Sequence, residues 1–474
     1  MTRTEAEAIY DLGKEAVVKI LLEMDARIRR LEERLGMGSS NSSKPPSTDN
    51  KLTKAPPQKS SDKKTKRGGQ KGHKGSNLRL SPTPDSTETI KPTSCEKCQT
   101  SFLESSHGKI IKRQVFDIPK ASITIKEYQG HSLVCPCCHH KNHPIFPQGV
   151  NAPTQYGKNL SAFIAYLHSY QMIPYERITQ LINDLYAHKL STGTIITMLQ
   201  KIYDATHESE ANTKVLLECS PLLHCDETGV SVEGRLHWIH VASTAHLTLF
   251  HLHKRRGKEA MNAMGILPTY TGIVMSDHWS AYKHYTNSQH SFCNAHHLRE
   301  LQGISDNEKV QWSKDMYALL IRANNAVIKA KAHAQTALSS ITITLLTHQY
   351  DKITNAALGY YPNPPLAPIK QRGRIKQSKG KNLLDRFKQH KRETLRFLND
   401  FTVPFTNNQA ERDLRMIKVK EKISGTIASK RGGEYFARIR GYISTVKKQG
   451  KNILEELFNA LDGKPFLPQL AGGC

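Results

Sequence analysis

Long apolar runs are missing from this sequence: none could span a bilayer, and neither end offers a basic amphipathic helix with a clean apolar face, which argues against a membrane partner. The opening MTRTEAEAIYDLGKEAVVKI has no apolar leader and no cleavage site, so a cytoplasmic chain is expected. Acidic residues are few beside basic ones, 42 Asp+Glu against 68 Lys+Arg, and the formal charge is +26. That imbalance favours a polyanionic partner, with nucleic acid the leading candidate, because Lys and Arg gain affinity by neutralising phosphates. The nine cysteines of a cytoplasmic protein are thiols or metal ligands and not a disulfide framework.

What is present divides the chain into segments. Residues 1–36 read as one helix in which Val17, Leu21, Met24, Ile28, Leu31 and Leu35 form a heptad seam. The seam fits a coiled coil and fits equally a helix packed on the chain's own core. Residues 37–90, rich in Ser, Pro, Gly and Lys, read as a basic linker in which Lys63, Lys64, Lys66, Arg67, Lys71, His73 and Lys74 can track a phosphate backbone. In residues 91–150, Cys95-x-x-Cys98 and Cys135-x-x-Cys138 flank stretches of β character. Two such knuckles suit a structural four-thiolate Zn²⁺ site in a small β domain, with Cys137 spare and His139, His140 or His143 able to replace one thiolate. Residues 151–218 read as helical. A helix through Leu190, a turn with Ser191 as N-cap and a helix carrying Ile195, Ile196, Leu199 and Ile202 fit a DNA-reading helix-turn-helix or an ordinary helical hairpin.

The carboxylates follow. Leu222-Leu223 leads to Asp226 and Glu227 ahead of a turn expected at Thr228-Gly229, and Ile273-Val274-Met275 leads to Asp277. Two strands thus deliver aspartates at their carboxyl ends, Asp226 being the expected ligand and Glu227 a neighbour expected to tolerate substitution. A short strand, HSFCNAHHLRE, holds Cys293, His296 and Arg299. Residues 298–400 turn helical and read as an insertion between 219–297 and 401–474 of one α/β domain, their Lys370, Arg372, Arg374, Lys376, Lys379, Lys381 and Arg386 forming a strip to steer DNA or a solvated loop. Thr406 and Gln409 suggest a capping box opening a helix that carries Glu411, whose bland partner would be Arg415. Three acids from two strands and a helix in a basic chain suggest a two-metal site for phosphoryl transfer, with Mg²⁺ or Mn²⁺ on hard oxygen ligands.

NSSKPPSTD, GGQKGHKG, the paired knuckles, HCDETG with a following His-Trp, SDHWSAY, CNAHHLRE, NNQAERDLR and the tail from ISGTIASKRGG through GYISTVKKQGKNILEEL resemble the insertion-sequence 66 family of bacterial transposases along almost the whole length. The resemblance implies an α/β multidomain chain whose ribonuclease-H-like core, a mixed sheet flanked by helices, carries an Asp226, Asp277, Glu411 triad interrupted by a helical insertion. It implies a DNA transposase that binds element ends and performs metal-dependent cleavage and strand transfer. The rival is a zinc-containing DNA-binding regulator or inactive element remnant. Two departures from the family pattern, Thr406 ahead of Asn407 and Asn408 and Asn294 after Cys293, leave the triad intact. Expected DNA contacts are Lys71, His73, Lys74, Arg299, Arg412, Arg415 and Lys418, and expected supports of the site are His296, Asn407 and Asn408, with His296 equally readable as a packed structural histidine. Expected partners are double-stranded terminal-repeat and target DNA, a second copy of the chain during synapsis, and accessory proteins of the same element; the expected location is cytoplasmic and nucleoid-associated.

Overall fold

The structure, a computed structural model, describes residues 3–38, 41, 78–103, 108–361 and 377–470. It divides into two units, Met1–Ala55 with Glu127–Cys474, and Pro56–Lys126. Lys71, His73 and Lys74, most of the linker, and Lys370, Arg372, Arg374 and Lys376 lie outside the described residues. No helix of the described residues is long and apolar enough to cross a membrane.

In the larger unit the expected single N-terminal helix is two, α1 (Arg3–Asp11) and α2 (Lys14–Gly36). The break falls at Gly13, whose φ of 92° is open to glycine and strained for other residues. The seam residues Leu21, Met24, Ile28, Leu31 and Leu35 are exposed, so α2 does not bury them in the chain's own core. Strands β1 (Leu133–Val134) and β2 (Lys141–Asn142) then pair antiparallel on either side of the second cysteine knuckle.

Four helices follow, α3 (Lys158–Ala165), α4 (Tyr175–Tyr186), α5 (Thr192–Ala205) and α6 (His207–Glu218). Ser191 caps α5 as expected, its Oγ accepting the N–H of Thr194 at 3.0 Å, whereas α4 stops at Tyr186, short of Leu190. Ile195, Met198, Leu199 and Ile202 of α5 join a core with Tyr435, Ile439, Tyr442 and Ile443. Ile196, beside Ile195 on the same helix, is exposed.

The central sheet contains β3 (Leu222–Val232), β4 (Arg235–Ser243), β5 (Thr248–His253), β6 (Ile273–Ser276) and β7 (Gln289–Phe292), with α7 (Lys258–Met264) between β5 and β6. Its order is β5-β4-β3-β6-β7. The first three strands form an antiparallel meander; β6 and β7 run parallel to β3. The hairpin turns at Glu233-Gly234, where both residues have positive φ, and not at Thr228-Gly229, which pair within the ladder with Ile239 and Trp238. Asp226 is therefore inside a long strand and not at its end.

Helices α8 (Asn294–Glu308), α9 (Gln311–Ala332), α10 (Ser340–Ala357), α11 (Lys379–Gln389) and α12 (Lys391–Asn399) pack around Trp312, Leu320, Tyr350, Phe387 and Phe397. The chain continues as helices, α13 (Asn408–Ser424), α14 (Lys430–Lys448) and α15 (Ile453–Leu461). Among the described residues no strand resumes after the helical block; one bridge, Val232 to Ile427, joins this region to the sheet. Both sheet faces are covered, as a mixed sheet with two apolar faces requires. Val230, Val232, Ile239 and Val241 pack on Ala410, Leu414 and Ile417 of α13 and on Phe436 of α14. Leu223, Cys225 and Val274 face Met261, Tyr270 and Tyr282.

In the smaller unit a bridge between Ser94 and Ser101 closes the first knuckle. The stretch 108–126, expected to supply hairpins, forms no strand. Ile110, Val115, Ile118 and Ile125 are exposed, and without an apolar face to bury, strands gain too little to persist.

Candidate active site

Strand alternation decides the fates of Asp226 and Glu227. Even-numbered side chains of β3 point to α13 and odd-numbered ones to the layer containing Tyr282, as the two cores on either face show. Asp226 thus faces α13. The parallel register pairs Leu222 with Ile273, Leu223 with Val274 and His224 with Met275, so two residues further on Asp226 comes level with Asp277. β6 ends at Ser276 while β3 runs on to Val232, which leaves both aspartates at an edge where the sheet opens. Each carboxylate anchors one oxygen locally: Asp226 Oδ1 accepts the N–H of Glu227 at 2.8 Å and Asp277 Oδ1 that of Trp279 at 2.9 Å. The second oxygen of each remains for a ligand.

Glu411 arrives from the first turn of α13. The expected capping box does not form, because Asn407 is the N-cap and its side chain is held by the sheet. Asn407 Nδ2 donates to Cys225 O at 2.8 Å, its Oδ1 accepts from His224 Nδ1 at 2.8 Å, and its N–H donates to Cys293 Sγ at 3.1 Å. This residue, expected as a support, pins the start of α13 to β3; Asn408 is exposed. Glu411 forms no ion pair with Arg415 among the described residues: its Oε1 lies 4.0 Å from His296 Nδ1, and both atoms are buried without a hydrogen-bond partner.

Asp226 feels the other acids. Burial pushes the Asp226 carboxyl well above its ordinary range, and the charges of Glu227, Asp277 and Glu411 push it further. Asp277 is raised by burial and eased by the Trp279 N–H and by Arg256 and Arg386. Asp277 and Glu411 thus lie near enough for their charges to act on Asp226, and all three residues offer hard oxygen donors.

Glu227, expected to tolerate change, is buried on the opposite face. Arg256 reaches its Oε1 through Nε at 2.9 Å and Nη2 at 2.7 Å, and Tyr282 donates to its Oε2 at 2.7 Å. The Arg256 guanidinium also lies over Trp279, 4.1 Å from the ring centre, and near Trp238 at 4.9 Å. Sequence reading missed Glu227, Arg256 and Tyr282. The available signal was strand parity, which places a charged residue of β3 in a core layer.

The remaining expectations divide. Cys293 and His296 do not sit on a strand: Cys293 is the N-cap of α8, which carries His296 and Arg299. Burial lowers the His296 pKa to about 4, so its ring is neutral and able to ligate. Arg412 and Arg415 are exposed along α13 beside Glu411, while Lys418 bonds Gly229 O and Glu421. Lys381 and Arg386, expected to steer DNA, pair with Asp385 and Glu300. The two cysteine knuckles adopt one turn: the N–H of Cys95 bonds Thr100 O and that of Gln99 bonds Cys95 O, just as Cys135 bonds His140 O and His139 bonds Cys135 O. Gln99 and His139 share a φ of 55°.

The family model described as "Transposase IS66 family" matches residues 153–435, more than half of the chain and all of the site. The chain belongs to the IS66 family of transposases. The match runs from the helices ahead of the sheet, through Asp226, Asp277 and Glu411, and into α14. A second model, a family of unknown function (DUF6444), matches residues 3–79. No curated protein matches this IS66-family chain. Among solved structures, a chain of "CryoEM structure of simian T-cell lymphotropic virus intasome in complex with PP2A regulatory subunit B56 gamma" is similar at 12% identity. The likeness covers 45% of this chain and 80% of that one with a TM-score of 0.14, too low to bear on fold or function.

Proposed function

We propose that this IS66-family chain is a DNA transposase that cuts at the ends of its element and joins them to target DNA through Asp226, Asp277 and Glu411, on a ribonuclease-H-like core. The observation that carries the reading is the level register of Asp226 and Asp277 together with the charge of Glu411 felt at Asp226. At Asp226 the charges of Asp277 and Glu411 oppose ionisation, a conflict that bound cations would relieve, and the oxygen donors of the three half-buried carboxylates fit Mg²⁺ or Mn²⁺. With two such ions bound, the metal supplies activation of the attacking oxygen and stabilisation of the leaving one. The chain's own residues do the rest. Asp226 and Asp277 are oriented by the N–H groups of Glu227 and Trp279, Asn407 fixes the start of α13 and hence Glu411, and the Arg256–Glu227 pair stiffens the strand behind. Arg412, next to Glu411, and Arg415, one helical turn on, are exposed and would meet phosphates, giving register without base readout.

The partners follow from the same reading: double-stranded DNA, accessory proteins of the element, and a second copy of the chain, the last supported by the exposed seam of α2. Structural Zn²⁺ on Cys95, Cys98, Cys135 and Cys138 is supported by the matching turns of the two knuckles. The test is incubation of the purified chain with element-end duplex and Mn²⁺. Nicking and joining lost in Asp226→Asn support the reading. DNA binding without any nicking leaves only an end-recognising regulator, and nicking without joining of a pre-cut end leaves a nuclease.

A further inference from the structure

Two helix starts converge beside the carboxylates. Cys293 caps α8, His296 stands one turn in, and the N–H of Asn407, the cap of α13, donates to the Cys293 sulfur at 3.1 Å. One ligand atom from each of Cys293, His296 and Glu411 lies within 4.8 Å of the other two. His296 Nδ1 and Glu411 Oε1, 4.0 Å apart, are buried and have no hydrogen-bond partner, a combination that proteins seldom leave unexplained. Around Zn²⁺ such donors stand about 3.3–3.6 Å apart, so side-chain adjustments of about 1 Å would close the set. A thiolate, an imidazole and a carboxylate suit a borderline-soft cation and not Mg²⁺. The N–H of Asn407 and the start of α8 both favour negative charge on the sulfur, the support that a coordinating thiolate receives from its surroundings.

We infer that Cys293, His296 and Glu411 form a binding site for a Zn²⁺-class divalent cation, and that filling it withdraws Glu411 from Asp226 and Asp277. The first part stands on geometry alone; the second rests on the proposed transposase chemistry and makes Zn²⁺ an inhibitor of Mg²⁺- or Mn²⁺-supported cleavage. Three protein ligands leave a fourth position open, so the ion is exchangeable and can act as a brake.

Cobalt tests the site without relying on activity. Chain purified with zinc is titrated with Co²⁺ and followed by absorbance. The expected result is a thiolate-to-cobalt band that saturates near one equivalent, disappears in Cys293→Ser, weakens in His296→Gln, and persists in Cys219→Ser. A spectrum identical in wild type and Cys293→Ser overturns the site, since any remaining band then belongs to other cysteines. His296→Gln keeps Cys293 and guards against misfolding of the serine variant; an unchanged cobalt affinity there also overturns it. In the Mn²⁺ cleavage assay, the Zn²⁺ concentration that halves each variant's own rate should rise about tenfold or more in Cys293→Ser. Equal zinc sensitivity overturns the brake. A wild type that never cleaves defeats the transposase reading instead, and the cobalt result still stands by itself.

Discussion

Two sets of cysteines in this chain behave in opposite ways. Cys95, Cys98, Cys135 and Cys138 sit on exposed turns, where hydrogen bonds lower the Cys98 thiol to about 7 and draw Cys135 down as well. Cys225 and Cys293 are buried behind the carboxylates, where desolvation raises both, Cys293 to about 11. One residue type is thus left reactive on exposed turns in one region and held protonated by burial in the other, where at Cys293 a bound cation would have to displace the proton. The knuckles have short bridges, and on the proposed Zn²⁺ reading a bound ion would supply their stability. The sheet region supplies its own.

The largest expected effect comes from breaking the first half of that contrast. After chelation at pH 7, the knuckle thiols should react with a disulfide reagent about a thousandfold faster than Cys225 and Cys293, as thiolate fraction and access dictate. Limited proteolysis should then cut before residue 150 and spare the family-matched region from 153 onward. Equal reactivity of all thiols, or knuckles untouched by chelation, breaks the comparison. Next in size is Glu227→Ala, which strands Arg256 and the buried Tyr282 hydroxyl. Denaturant unfolding should show a loss of about 2 kcal/mol, discounted because Arg256 is partly exposed, with unchanged zinc content. A neutral result would restore the tolerance expected from sequence. Asn407→Ala should lose about 1–2 kcal/mol by leaving Cys225 O and His224 without a partner.

The smallest effect concerns pH. The Asp226 carboxyl is raised on folding, so its contribution to stability is full below its unfolded value and is lost as pH rises through the folded value. In metal-free buffer Asp226→Asn should therefore be more stable than wild type near pH 7.5, by on the order of 1 kcal/mol, and the difference should shrink towards pH 4. The difference between the two proteins is the quantity to follow. Burial lowers His278, His296 and His297 on folding, so their stabilisation is fully present above the ordinary histidine value and lost as pH falls, equally in both proteins. A wild type at least as stable as the variant at pH 7.5 would mean that the acids do not repel as described.

How far the sequence carried the fold varied with range. The apolar runs Leu222-Leu223 ahead of Asp226 and Ile273-Val274-Met275 ahead of Asp277 revealed their register, because a parallel pair of buried strands leaves that local trace. The Ser191 cap was legible because it too is local. The end of β3 was hidden: alternation continues through Thr228-Gly229, and the real turn uses Glu233, a residue with no special liking for positive φ. The cap of α13 was misplaced because Asn407 answers to Cys225 and His224, which are distant in sequence. Glu227 was misjudged because its partners Arg256 and Tyr282 lie far along the chain and meet it only in the folded sheet.

The central claim is that Asp226 ligates the catalytic metal, and replacing its oxygen by sulfur tests this most directly. Asp226→Cys should be inactive on element-end DNA with Mg²⁺ and regain part of its cleavage with Mn²⁺, the more thiophilic ion, beyond any gain shown by wild type. A folded Asp226→Cys that cleaves with Mg²⁺ as wild type does, or that gains nothing from Mn²⁺ while wild type is active, would contradict the account.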